Sequence, residues 1–166
     1  MIITKTREEI ELMRESALVV SRTLGMLAKE VKPGVTTNRL NEMAEEYIRS
    51  QDAIPGFLGL YDCPSTILTS VNEAVVHGLP NDNPLKEGDI VSIDCGAIKN
   101  EFYGDHAYTF EVGEVDPEIK KLLQITKKSL YVGIRELKVG KRVGDVGYAI
   151  QKFCEAEGYG VVRELV

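Results

Sequence analysis

The chain has 166 residues, 43% apolar and 28% charged, with a formal net charge of −6. That is enough for one domain with a real core, and the acidic balance argues against nucleic acid or an anionic membrane as a partner. No apolar run approaches the ~18 residues of a membrane span. The opening MIITKTREEIELM puts acidic residues where a signal peptide has its apolar region, so the cytoplasm is the expected address. Cys63, Cys95 and Cys154 are odd in number and widely spaced, which excludes a disulfide framework or a zinc knuckle.

Thr6-Arg7-Glu8-Glu9 is a capping box and predicts a helix to about Glu30, with Ile10, Met13, Ala17, Val20, Leu24 and Leu27 at helical spacing. Val31-Lys32-Pro33-Gly34 stops it. A second helix starts at Thr36 or Thr37 and carries Leu40, Ala44, Tyr47 and Ile48 on one face. Residues 53–64, with two prolines and two glycines, read as loop. Residues 65–72 and 74–77 read as strands, and 79–87 as a polar loop. Asp116-Pro117-Glu118 opens a third helix to about Leu137, carrying Ile119, Leu122, Leu123, Leu130 and Ile134. After Gly140 a fourth holds Val146, Ile150, Phe153 and Cys154, and a last apolar strand begins at 160–162 and runs into the terminus.

Between these lies DIVSIDCGAIKNEFYGDHAYTF, residues 89–110. It reads as strands over 90–98 and 107–112 joined through Lys99-Asn100-Glu101. Strand alternation puts Ser92, Asp94 and Gly96 on one face and Val91, Ile93, Cys95 and Ala97 on the other. Cys95 is therefore read as a small core residue. Asp94, and Asp105 in the same setting one strand later, are carboxylates among apolar neighbours, which are costly unless paired or bound to metal. Side by side they repel unless a cation lies between them. A lone aspartate is usually a satisfied structural carboxylate, so for the pair both readings stand. Hard oxygen ligands suit Mg, Mn, Fe(II) or Co, or zinc with added nitrogen.

His77, in Val76-His77-Gly78-Leu79-Pro80, is either a strand-end histidine or a neutral imidazole that orients substrate. His106 follows Asp105 and faces the other way. Gly78, Gly96 and Gly104 fit turns and close packing better than phosphate binding.

The helix pairs repeat. At an offset of 106 residues Gly34 falls on Gly140, Leu24 on Leu130, Leu40 on Val146, Ala44 on Ile150 and Ile48 on Cys154. Any two amphipathic helices joined by a glycine turn align in this way, so chance competes with true repetition. If the repeat is real, residues 1–115 are a first half and 116–166 the start of a second, from which roughly 50 residues or more, including its strands, are absent. The second helix pair would then expose apolar surface.

The segments Val71-Asn72-Glu73-Ala74-Val75-Val76-His77-Gly78-Leu79-Pro80, Gly88-Asp89-Ile90-Val91-Ser92-Ile93-Asp94 and Gly104-Asp105-His106-Ala107-Tyr108-Thr109-Phe110 closely resemble type I methionine aminopeptidases, and the resemblance runs from the first helix to the last residue. It implies an α/β (α+β) pita-bread fold: an antiparallel sheet with pairs of helices, pseudo-two-fold, here with an incomplete second half. It further implies a single catalytic domain over 1–166, with two divalent metal ions (Co, Mn, Fe(II) or Zn) and Asp94 and Asp105 as metal ligands. The family's remaining histidine and two glutamate ligands would fall after Val166. His77 matches the catalytic histidine that contacts the scissile amide. Phe57, Leu60, Cys63 and Leu68 would bind the methionine side chain with His77, departing from the Cys/Tyr/Tyr/Cys set common in relatives. The implied function is metal-assisted removal of the initiator methionine from nascent proteins, with the ribosome as a partner and a monomeric, short bacterial form. Two competing expectations are a catalytically incomplete fragment acting as a binding module, and a related pita-bread peptidase of other specificity.

Overall fold

The computed structural model describes residues 3–163. They divide between Val115 and Asp116 into two compact units.

The first unit opens with α1 (Arg7–Leu27). Its capping box is closed: Glu9 N donates to Thr6 Oγ1 at 3.1 Å and Thr6 N to Glu9 Oε2 at 2.7 Å. The helix stops at Leu27 rather than near Glu30, because Lys29 N and Glu30 N turn to carbonyls three residues back. Its buried face is Ser16, Val19, Val20, Thr23, Leu24 and Leu27. Ile10 and Met13, expected inside, are 46% and 36% exposed. Ser16 Oγ bonds to Lys99 O (2.9 Å) and Phe102 O (2.7 Å), so it already meets the hairpin turn and the earlier helical turns overhang the sheet.

After α2 (Thr37–Ser50) come β1 (Ile54–Pro55), β2 (Ile67–Val71), β3 (Ile90–Lys99) and β4 (Phe102–Glu111). All pairings are antiparallel. β3 is the axis: it pairs with β4 from Ile90↔Glu111 to Lys99↔Phe102, and β2 and β1 share its other edge. Val91, Ile93, Cys95 and Ala97 are fully buried and belong to one core with Val20, Leu27, Leu40, Ala44 and Ile48 of the two helices. The alternation read from sequence therefore holds, and Asp94 lies on the face away from that core. Asn41 of α2 accepts from Thr66 N and Ile67 N, fixing where β2 begins. α1 lies hard against β4: a Cβ on Gly104 would come within 2.6 Å of the Ser16 carbonyl.

Besides the loop over 53–64, four strand expectations change; the strand expected over 107–112 starts earlier, as β4, because Phe102 already pairs with Lys99. Residues 65–72 shorten to β2, and 53–64 contain β1 and a 3-10 turn, Leu60–Asp62, rather than loop alone. Residues 74–77 form no strand: Asn72 takes a positive φ of 52°, Ala74 N bonds back to Val71 O, and the chain folds over β2 until Thr69 N donates to Gly78 O at 2.7 Å. Residues 160–163 carry no ladder, and the continuation of the expected last strand over 164–166 lies outside the described residues.

The second unit holds α3 (Pro117–Arg135), capped by Asp116, and α4 (Val143–Ala156). Inside α3 are Ile125, Ser129 and Gly133, whereas Leu122, Leu130 and Ile134 are 38%, 54% and 48% exposed. Gly133 is inside because α4 crosses there; a Cβ would sit 2.7 Å from Ile150 Cδ1. At the offset of 106, α2 and α4 coincide residue for residue. Gly34 and Gly140 share a left-handed backbone (φ 91° and 88°). Buried Val19, Thr23 and Leu27 of α1 match buried Ile125, Ser129 and Gly133 of α3. Burial thus repeats at these three pairs and at Ile48 and Cys154, but not at Leu24 and Leu130, the first buried and the second 54% exposed.

Candidate functional site

The outer face of the sheet carries the chemistry. Antiparallel partners share a face, so Asp94↔Ala107 and Gly96↔Asp105 put both carboxylates on one side, offset by one pleat. Cys95↔His106 falls between them and points the other way. Leu68 of β2 flanks Asp94 on the remaining edge. Phe57 is set on the same face by β1 and the glycines after it. Gly56 N donates to Gly96 O at 2.8 Å, and a Cβ on Gly96 would meet the Phe57 ring at 2.7 Å. The missing side chain of Gly96 is the space the ring occupies. Gly78 serves the same end, because a Cβ there would overlap Thr69 O at 2.3 Å. Close packing accounts for Gly78, Gly96 and Gly104 alike.

His77 stands on strained backbone, with a φ of 59°. A non-glycine residue holds that conformation only where its surroundings impose it. Here Gly78 N donates to Ser70 Oγ at 3.2 Å and Gly78 O accepts from Thr69 N, so the next residue is docked on β2. Asn72 closes the other end of the loop, donating to Asp89 Oδ1 at 2.9 Å and accepting from Ile90 N.

These elements enclose a cavity of about 520 Å³. All seven residues singled out in the sequence line it: Phe57, Leu60, Cys63 and Leu68 as apolar wall, with His77, Asp94 and Asp105. The sequence reading missed Tyr61, Asp62, Pro64 and Leu79. Tyr61 and Asp62 sit between Gly59 and Cys63, so the glycine- and proline-bounded loop was the available signal.

The two aspartates differ. Asp94 is half-buried, and its Oδ1 is buried with no hydrogen-bond partner among the described residues. Burial first, then the charge of Asp105, pushes its pKa above the usual 3.8. Asp105, expected in the same setting, is exposed, because β4 has no strand on its outer edge among the described residues. Cys95 is no ligand because it lies on the core face, fully buried and away from the carboxylates, and that burial pushes its thiol up to about 12. A buried carboxylate oxygen without a donor, beside a second carboxylate, fits a hard divalent cation. Among the described residues no third histidine, cysteine or acidic side chain joins them to complete a metal cluster.

Residues 11–166 match metallopeptidase family M24. The whole chain is 47% identical to a methionine aminopeptidase of Clostridium acetobutylicum and 46% identical to methionine aminopeptidase 1 of Bacillus subtilis, covering 67% of each. The crystal structure of methionine aminopeptidase from Rickettsia prowazekii superposes with a TM-score of 0.97 at 41% identity, covering 99% of this chain and 66% of that one. The chain thus spans about two thirds of the length of these relatives.

Proposed function

The chain belongs to metallopeptidase family M24, and from that premise we propose that it carries the methionine pocket and two metal-ligand carboxylates of an enzyme that removes the initiator methionine from nascent proteins. The fold is the pita-bread architecture of its structural neighbours, and the family's chemistry requires a divalent metal. The observation that carries the reading is the convergence on one cavity of two carboxylates, an imidazole and a four-residue apolar wall.

Each side chain has a role that follows from its place. Phe57, Leu60, Cys63 and Leu68 offer a thioether side chain an apolar surface and exclude water beside the reacting bond. Asp94 and Asp105 would contribute ligands to two divalent ions, drawn from Co, Mn, Fe(II) or Zn, and the unpaired Asp94 Oδ1 is a ready donor atom. When bound, the metal supplies Lewis-acid polarisation of the carbonyl and a nucleophilic water at neutral pH. His77, held by its strained loop, reaches the scissile amide and donates a hydrogen bond to it as charge develops. The buried, protonated Cys95 beneath Asp94 takes no part. Among the described residues no helix is long and apolar enough to cross a membrane; the proposed setting, on the initiator-methionine reading alone, is the cytoplasm, with the ribosome as partner.

The test is release of free methionine from a Met-Ala-Ser peptide by this chain with Co(II) or Mn(II). Turnover that falls about 10²-fold or more in His77→Ala, with metal binding unchanged, supports the assignment. No turnover together with no metal bound at micromolar concentration would sink it.

A further inference from the structure

The loop after Phe57 lines the cavity. Its base is tied by Leu60 N to Phe57 O (2.9 Å), Gly59 N to Cys63 O (2.8 Å) and Cys63 N to Leu60 O (3.0 Å). Closing so tight a loop forces Tyr61 and Asp62, two successive non-glycine residues, into left-handed backbone with φ of 50° and 61°. That conformation is costly, and it buries nothing in return: Tyr61 is 96% exposed and Asp62 is exposed, yet both line the cavity. No hydrogen bond or ion pair among the described residues engages the Asp62 side chain.

Charge gives this position a meaning. The cavity's acidic lining is Asp62, Asp94 and Asp105, with no lysine or arginine among the described residues. Asp94 and Asp105 face the proposed divalent ions, whereas Asp62 has no basic side chain beside it in that lining and no hydrogen bond or ion pair of its own among the described residues. Tyr61 and Asp62 lie in the chain between Leu60 and Cys63 of the apolar wall, so a peptide whose first side chain rests on that wall has this loop beside it. We propose that Asp62 reads the substrate beyond its first residue, favouring chains with lysine or arginine within the next few positions. The inference rests on the peptidase reading and deepens it from a single-residue pocket to a substrate class.

The test is binding of Met-Ala-Lys-Ser and Met-Ala-Gln-Ser amides, each with a free amino terminus, to the full chain with Mn(II) present. An exposed charge pair supports a preference of about two- to fivefold for the lysine peptide at low salt, shrinking as ionic strength rises. In Asp62→Asn the two peptides should bind alike, with the affinity for the glutamine peptide kept. A lysine preference that survives in Asp62→Asn, or equal binding by the parent chain, overturns the inference while leaving the pocket intact. Failure of both peptides to bind overturns the peptidase reading and the inference with it.

Discussion

Replacing Asp94 by asparagine should make the metal-free chain more stable while removing its response to metal. The parent residue is half-buried with Oδ1 unpaired, and its pKa is raised by burial and then by Asp105. An unpaired buried polar atom costs about 1–3 kcal/mol. Asparagine relieves this because it is neutral and its amide can donate towards Asp105. For a chain of this size each kcal/mol moves the melting temperature by about 2–4 °C, so a rise of about 2–12 °C is expected at pH 7 in EDTA. The pH dependence fixes the cause. A carboxyl with a raised folded pKa binds its proton more tightly folded than unfolded, so ionising it destabilises the fold. The variant's advantage should be full above the folded pKa and should disappear as the pH falls through it towards 3.8. With Mn(II) at a hundred times its Kd the parent should gain about 2.7 kcal/mol and the variant little. Thermal unfolding followed by circular dichroism measures all of this. A variant no more stable than the parent in EDTA, or an advantage that persists at pH 3, would refute the reasoning.

Two further outcomes follow from the fold. Gly104→Ala places a Cβ 2.6 Å from the Ser16 backbone, so urea unfolding should show a loss of about 1–3 kcal/mol or more; an unchanged midpoint would mean that α1 does not pack on β4 as described. Asp89, hydrogen-bonded by Asn72 and then by Lys86 N, has its carboxyl held below 3.8. Its contribution is present above that value and lost as pH falls through the lowered one. The urea midpoints of the parent and Asp89→Asn should therefore differ at neutral pH and converge in acid; a gap that does not depend on pH would count against the bond.

The sequence made the central hairpin legible because period-two alternation is a local signal: Val91, Ile93, Cys95 and Ala97 go in and Asp94 comes out, as the pleat demands. It also carried the helix repeat, down to the two left-handed glycines. Burial along α1 and α3 was less readable, because small residues outrank leucines where backbones approach. Ser16 is buried to bind the hairpin turn, and Gly133 to admit Ile150. Residues 74–77 looked like a strand for their valines, but a strand needs a neighbour, and the chain there turns back to place His77 instead. The different exposure of Asp94 and Asp105 depends on which strand is central, a fact of pairing order that local pattern does not contain. Tyr61 and Asp62 were overlooked because a glycine- and proline-bounded loop signals a turn without saying which cavity its tip lines.

The central claim is that Asp94 and Asp105 are ligands to divalent cations beside an apolar peptide pocket. The most direct measurement is a titration of the full chain with Mn(II), followed by paramagnetic broadening of its backbone amide resonances. Broadening that begins at Leu68, Asp94, Gly96 and Asp105, and is abolished in Asp94→Asn, is the predicted result. Broadening spread evenly over surface carboxylates such as Glu42, Glu45 and Glu46, or unchanged by the substitution, would contradict it.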